Sequence, residues 1–119
     1  MSNSFYNVRV LIADDHGIIR DGVRSVLTHD LRMNVVGEAA DGKEAVQLSR
    51  DLHPDLIIMD INMPGMNGIE ATRTISHEMP EIKIVVLSMH ADKRYVVEML
   101  SLGVSAYLLK DCATRELSV

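Results

Sequence analysis

Four short apolar runs, set at a steady beat along the chain, restrict its fold more than any other feature. They are Val8–Ala13, Leu56–Met59, Ile82–Leu87 and Ala106–Leu109. Near-continuous apolar character over so few residues is the mark of strands buried on both faces, the usual condition of parallel sheets. Helical spacing fills the intervals, with Ile19, Val23, Val26 and Leu27 on one stretch and Ala71, Ile75 and Met79 on another. Strands that alternate with helices read as βαβ units, joined by right-handed crossovers into one parallel sheet with helices on both faces. A fifth run, Met33–Ala39, is more polar and is interrupted by Asn34 and Gly37, which places it at a sheet edge.

Punctuation agrees with this pattern. Asp41 precedes Glu44 by three residues and Asn67 precedes Glu70 by three, so each pair resembles a capping box with an Asx cap. Gly103 ends a predicted helix near 92–102. That helix is apolar around more than one face, with Tyr95, Met99 and Leu102 at i, i+4 and i+7 and with Val96 and Leu100 beside them. An exposed apolar strip is expected there, suited to a partner.

At 119 residues and 47% apolar, the chain has room for a single core. Its net charge of −5 and 3% aromatic content argue against direct contact with nucleic acid, which favours basic patches or stacking rings. No apolar stretch approaches the roughly 18 residues of a spanning helix, so no membrane insertion is expected. Cys112 is the one cysteine, and no basic segment leads into an apolar run near the start, so a cytoplasmic location is expected.

The chemistry lies where the strands end. Asp14 and Asp15 follow the first strand, Asp60 closes the third, Ser88 the fourth and Lys110 the fifth. Open α/β sheets bind ligands at the carboxyl ends of their strands. An aspartate after a strand is also a common turn residue or cap, and a lone lysine is usually a solvated one. Five such groups converging on one rim are harder to explain that way. Three carboxylates so placed repel one another unless a cation is shared between them, and a hard divalent ion with oxygen ligands, Mg²⁺ above all, suits them. No glycine-rich phosphate cradle follows the first strand, which weighs against nucleotide binding.

These residues resemble the receiver domain of bacterial two-component response regulators, from Val8 onward. The runs Met59–Arg73 and Gly103–Asp111 are similar to those of the NarL/FixJ subfamily. The resemblance implies a flavodoxin-like, doubly wound five-stranded sheet in the order 2-1-3-4-5, with residues 1–7 as a tail and 8–119 as the receiver domain. It implies that Asp60 is the phosphoacceptor, taking a phosphoryl group from a sensor histidine kinase or phosphotransfer protein. Asp15 and Asp60 would bind Mg²⁺, with the Asn62 backbone carbonyl as third protein ligand and Asp14 assisting. Lys110 would supply positive charge, Ser88 would turn toward the new phosphoryl group, and Tyr107 would move inward as a switch. Such a domain is a signalling module that catalyses only its own phosphoryl transfer and dephosphorylation, and in a full-length protein it would govern transcription. Tyr107 also fits a half-buried core ring, and Met63 and Met66 fit gap-filling beside the loop. Asn62 and His90 flank the expected site.

Two rivals are weighed against this reading. An Mg²⁺-dependent aspartyl phosphohydrolase of the haloacid-dehalogenase type expects a second Asp two residues after the nucleophile, where this chain has Asn62. A phosphorylation-independent docking module would not need the full set of Asp14, Asp15, Asp60, Ser88 and Lys110. Two departures from the family pattern stand out. Asp111 replaces a common proline, so a trans Lys110–Asp111 bond is expected, since cis costs about 3 kcal/mol without proline. Thr114–Val119 leaves a truncated fifth helix and no DNA-binding domain after it, so fraying is expected there. Either a homodimer through the uncovered face or a modestly destabilised monomer would follow.

Overall fold

The computed structural model describes residues 7–30, 32–88, 99 and 101–109. The chain alternates strand and helix as β1 (Val8–Ala13), α1 (Gly17–Leu27), β2 (Met33–Ala39), α2 (Gly42–Leu52), β3 (Leu56–Asp60), α3 (Gly68–Glu78) and β4 (Lys83–Ser88), and β5 spans Ala106–Leu109. All neighbouring strands pair in parallel, in the order β2-β1-β3-β4-β5. The sequence expectation of a doubly wound five-stranded parallel sheet therefore holds.

Burial follows position in the sheet. On β1 the run Val10–Ala13 is buried, and on β3 so is Ile57–Asp60. Alternate residues of these strands feed two cores on opposite faces. Leu11, Ile57 and Met59 pack with Ala45, Val46, Ala71 and Ile75 of α2 and α3. Val10, Ile12 and Ile58 pack with Val23 and Leu27 of α1. Each fully buried aliphatic side chain contributes on the order of 1.5–3 kcal/mol of transfer free energy, so these two layers dominate stability.

β2 lies at the edge, as its polarity suggested, and it carries a register shift. Val10 pairs with Val35 but Leu11 pairs with Gly37, leaving Val36 as the extra residue. A Cβ at Gly37 would lie 2.9 Å from Leu52 Cδ1 and 3.3 Å from Leu11 Cδ1, so a larger residue there would make these side-chain ends shift.

The caps follow the sequence closely. Asp41 accepts a hydrogen bond from the Glu44 N–H at 2.8 Å, while Glu44 Oε1 accepts from the Ala40 N–H at 2.8 Å, one residue before the cap. Asn67 and Glu70 form the full reciprocal box at the start of α3. At the other end of α2, Arg9 Nη1 donates to the carbonyls of Leu52 at 2.6 Å and His53 at 2.9 Å, satisfying terminal acceptors that the helix leaves open. Gly103 takes φ +90, and Val104 N–H donates to the Met99 carbonyl across it, the 6→1 bond of a Schellman ending.

The apolar strip expected on the helix before Gly103 needs correction. Met99 is fully buried in the larger core and Leu102 packs against that core, so these two residues face inward rather than toward a partner. Met63 is buried in the same core and Met66 packs on it, in keeping with gap-filling. The remainder of that strip (Tyr95, Val96 and Leu100), His90, Lys110, the Lys110–Asp111 bond and the last six residues lie outside the described residues.

Candidate acidic site at the sheet edge

The site is built by two adjacent strands that end level with each other. β1 and β3 run in register with Ala13 opposite Met59, so Asp14 and Asp60 emerge side by side at the carboxyl edge. Both are buried, at 3% and 2% exposure, although each carries a carboxylate. Backbone bonds fix them there: Asp14 N–H donates to the Ala39 carbonyl at 2.9 Å. Asp60 Oδ1 accepts from the Asn62 N–H at 3.4 Å.

Asp15 and His16 complete the group on the solvent side. One ligand atom from each of Asp14, Asp15, His16 and Asp60 lies within 4.8 Å of the others. The three carboxylates singled out from the sequence are thus brought together. His16 was missed. Its backbone N–H donates to Asp14 Oδ1 at 2.9 Å, and its Nδ1 lies 3.1 Å from that oxygen and 3.0 Å from Asp15 Oδ1. The available signal was a histidine at the N-cap of α1, a position that favours short oxygen-bearing side chains. Arg20 was also missed. Its Nη1 donates to the Asp14 carbonyl at 2.5 Å and its Nε to Glu38 Oε1 at 3.1 Å, tying α1 and β2 to the acidic turn.

The loop after Asp60 is held by close backbone approaches. Gly65 follows Pro64 with φ +68, which lets the chain reverse. Gly68 N–H then donates to the Ile61 carbonyl at 2.8 Å. A Cβ at Gly68 would lie 1.9 Å from the Asp60 carbonyl oxygen, and one at Gly42 would lie 2.0 Å from that of Met66. Both contacts are with backbone, so no rotamer change relieves them. These two glycines seat the starts of α2 and α3 against the loop that carries Asn62.

Ser88 and Tyr107 occupy the expected strand positions. Asp60 pairs with Leu87, so Ser88 stands one residue further along the same rim, and Tyr107 pairs with Val86. Their side chains and Lys110 lie outside what the structure describes. The donor set itself fits a hard divalent cation: carboxylate oxygens predominate, two of the three carboxylates are buried, and all converge within one coordination sphere's reach.

With this geometry in view, residues 10–119 match the family model described as the response regulator receiver domain. The chain belongs to that family. It is 44% identical over 104 residues to the transcriptional regulatory protein DegU of Brevibacillus brevis, covering 87% of this chain and 44% of DegU. It is 39% identical over 111 residues to the response regulator protein VraR of Staphylococcus aureus, covering 93% of this chain and 53% of VraR. The chain therefore spans about half the length of these curated relatives. Among solved structures, the signal receiver domain of the putative response regulator NarL from Mycobacterium tuberculosis superposes with a TM-score of 0.88 at 34% identity, over 94% of this chain and 90% of that one. These relatives place the receiver domain in the NarL/FixJ-like subfamily, among two-component signalling modules. No helix among the described residues is long and apolar enough to cross a membrane.

Proposed function

We propose that Asp60 accepts a phosphoryl group from a phosphohistidine on a sensor histidine kinase or phosphotransfer protein. The observation that carries this reading is a buried Asp60 carboxylate at the end of β3 with Asp14 and Asp15 gathered beside it. In the transfer, an Asp60 carboxylate oxygen forms the new O–P bond while the N–P bond of the donor breaks, and the donor imidazole leaves with the bonding pair. Asp60 would attack as the carboxylate, a nucleophile that asks no neighbouring base to take a proton. Buried backbone fixes its direction of attack, and positioning supplies much of the catalysis in phosphoryl transfer.

Asp15 and Asp60 would hold Mg²⁺, with the Asn62 carbonyl as a further ligand and Asp14 assisting through water. Bound there, the ion offsets negative charge on the phosphoryl oxygens. Lys110, the next residue in sequence after β5, would add positive charge. Ser88 hydrogen-bonds the phosphoryl group once it is attached, and Tyr107 responds by turning inward, passing the change to the β4–β5 side of the molecule. Tying the module to transcription follows from DegU, a transcriptional regulatory protein in which the matched part is under half of the chain. A cytoplasmic location and phosphorylation-dependent pairing of receiver domains accompany this reading.

The test is labelling by a small phosphodonor. Wild type is expected to gain one acid-labile, hydroxylamine-sensitive phosphoryl group per chain, and Asp60→Asn none, with the fold retained because Asn has nearly the same shape. Equal labelling of the variant would contradict the assignment.

A further inference from the structure

We propose that Arg20 is a positioning residue for phosphoryl transfer, holding the peptide between Asp14 and Asp15 in the orientation that sets both carboxylates beside Asp60. The proposal rests on the reading of Asp60 as the phosphoacceptor. It adds to that reading a residue of α1 that touches none of the reacting atoms and acts through the Asp14 backbone.

Asp14 follows β1 directly, and the two polar groups of its backbone are tied to β2 by different routes. Its N–H donates to the Ala39 carbonyl at 2.9 Å. Its carbonyl accepts from Arg20 Nη1 at 2.5 Å, a charge-assisted bond from the first turn of α1. That carbonyl and the Asp15 N–H belong to one planar peptide, so the direction of the first fixes how the chain enters Asp15. The Asp15 side chain is 28% exposed against 4% for Asp14, so it has less packing to hold it and depends more on the peptide before it.

The arginine is itself held. Its Nε donates to Glu38 Oε1 at 3.1 Å, and the other Glu38 oxygen accepts from Arg24 Nε at 2.7 Å. Glu38 pairs with Ile12 in the β1–β2 ladder, so the carboxylate that steers the guanidinium is registered two residues before Asp14. A planar fork lets one side chain serve two acceptors on separate elements, whereas an ammonium is a compact point charge without a fixed fork. Arg24 supplies the internal comparison. It shares Glu38 with Arg20, yet among the described residues it makes no bond to the acidic turn.

Labelling rates with phosphoramidate at saturating Mg²⁺ test this, measured well below the Tm of each protein. Arg20→Met is expected to label about tenfold or more slowly than wild type, since small misplacements at a reacting centre carry losses of that size and larger. Arg20→Lys keeps the charge without the fork and is expected to remain several-fold slow. Arg24→Met loses the other ion pair on Glu38 and is expected to label at the wild-type rate. In the ion-free chain, the Asp14 carbonyl ¹³C resonance is expected to move upfield in Arg20→Met, as a carbonyl that loses its donor does, and to hold in Arg24→Met. A wild-type rate in Arg20→Met, full recovery in Arg20→Lys, equal slowing in Arg24→Met, or an unmoved Asp14 resonance in Arg20→Met would overturn the proposal. Asp60→Asn, labelled in parallel, separates the two readings. If it labels like wild type, the phosphoacceptor reading fails and the role of Arg20 with it. Labelling that depends on Asp60 but is indifferent to Arg20→Met overturns Arg20 alone.

Discussion

Gly68 shows how a residue with no side chain governs the site. A methyl group there would meet the Asp60 carbonyl oxygen at 1.9 Å, so Gly68→Ala must push α3 away from the end of β3. Overpacking against fixed backbone costs about 1–3 kcal/mol or more, and the loss is expected to appear in both stability and cation affinity. Chemical denaturation of Gly68→Ala beside Gly22→Ala checks this, since a Cβ at Gly22 has nothing within 4 Å and its helix interior should gain. Equal stability of the two variants would contradict the argument. Neither this constraint nor that at Gly42 was legible in the sequence, because both arise where the β3–α3 loop folds back on helix starts. The carboxylates were legible, since their positions depend only on where apolar runs stop.

At the scale of elements, the clamp between α1 and β2 decides how the acidic turn is held. Burial works against ionisation of Glu38, but hydrogen bonds from Arg24 and Arg20 outweigh it and hold its carboxyl below the ordinary value of 4.5. A carboxyl depressed in the folded state contributes stability that is present above its unfolded value and is lost as pH falls through the folded one. Glu38→Gln is therefore expected to lose about 0.5–1 kcal/mol at neutral pH, and the difference should shrink as the pH falls below 4.5 and through the depressed folded value. Thermal melts of both proteins across pH check it, and a gap that widens in acid would reverse the sign. The Arg50–Glu78 pair between α2 and α3 lowers the Glu78 carboxyl through a similar hydrogen bond, yet both side chains are well exposed. Its removal is expected to be nearly silent. The sequence marked caps at Asp41 and Asn67, where partners are three residues apart. It did not mark Arg9, Arg20 or His16, whose partners are set by the folding of separate elements onto one another.

For the whole molecule, five strands in parallel order deliver three carboxylates to one edge, and their mutual repulsion is the cost of the site. A cation that binds the folded state stabilises it by about 2.7 kcal/mol at a hundredfold excess over its Kd. Millimolar Mg²⁺ is therefore expected to raise Tm by several degrees in wild type. Asp15→Asn should melt higher than wild type without the ion and lose most of the rise with it. A Tm indifferent to Mg²⁺ in both proteins would count against a cation site. The edge position of β2 was readable because polar interruptions report burial directly, and the full strand order came only with the family resemblance; the inward turn of Met99 was not readable, because a helix apolar on several faces does not say which face is covered. The central claim is that one buried carboxylate, Asp60, carries the phosphoryl group. Borohydride reduction of the phosphorylated chain, followed by peptide mass spectrometry, tests it most directly, because an acyl phosphate is reduced to the alcohol and marks its residue as homoserine. The account predicts homoserine at position 60 alone; homoserine at position 14 or 15, or at none, would contradict it.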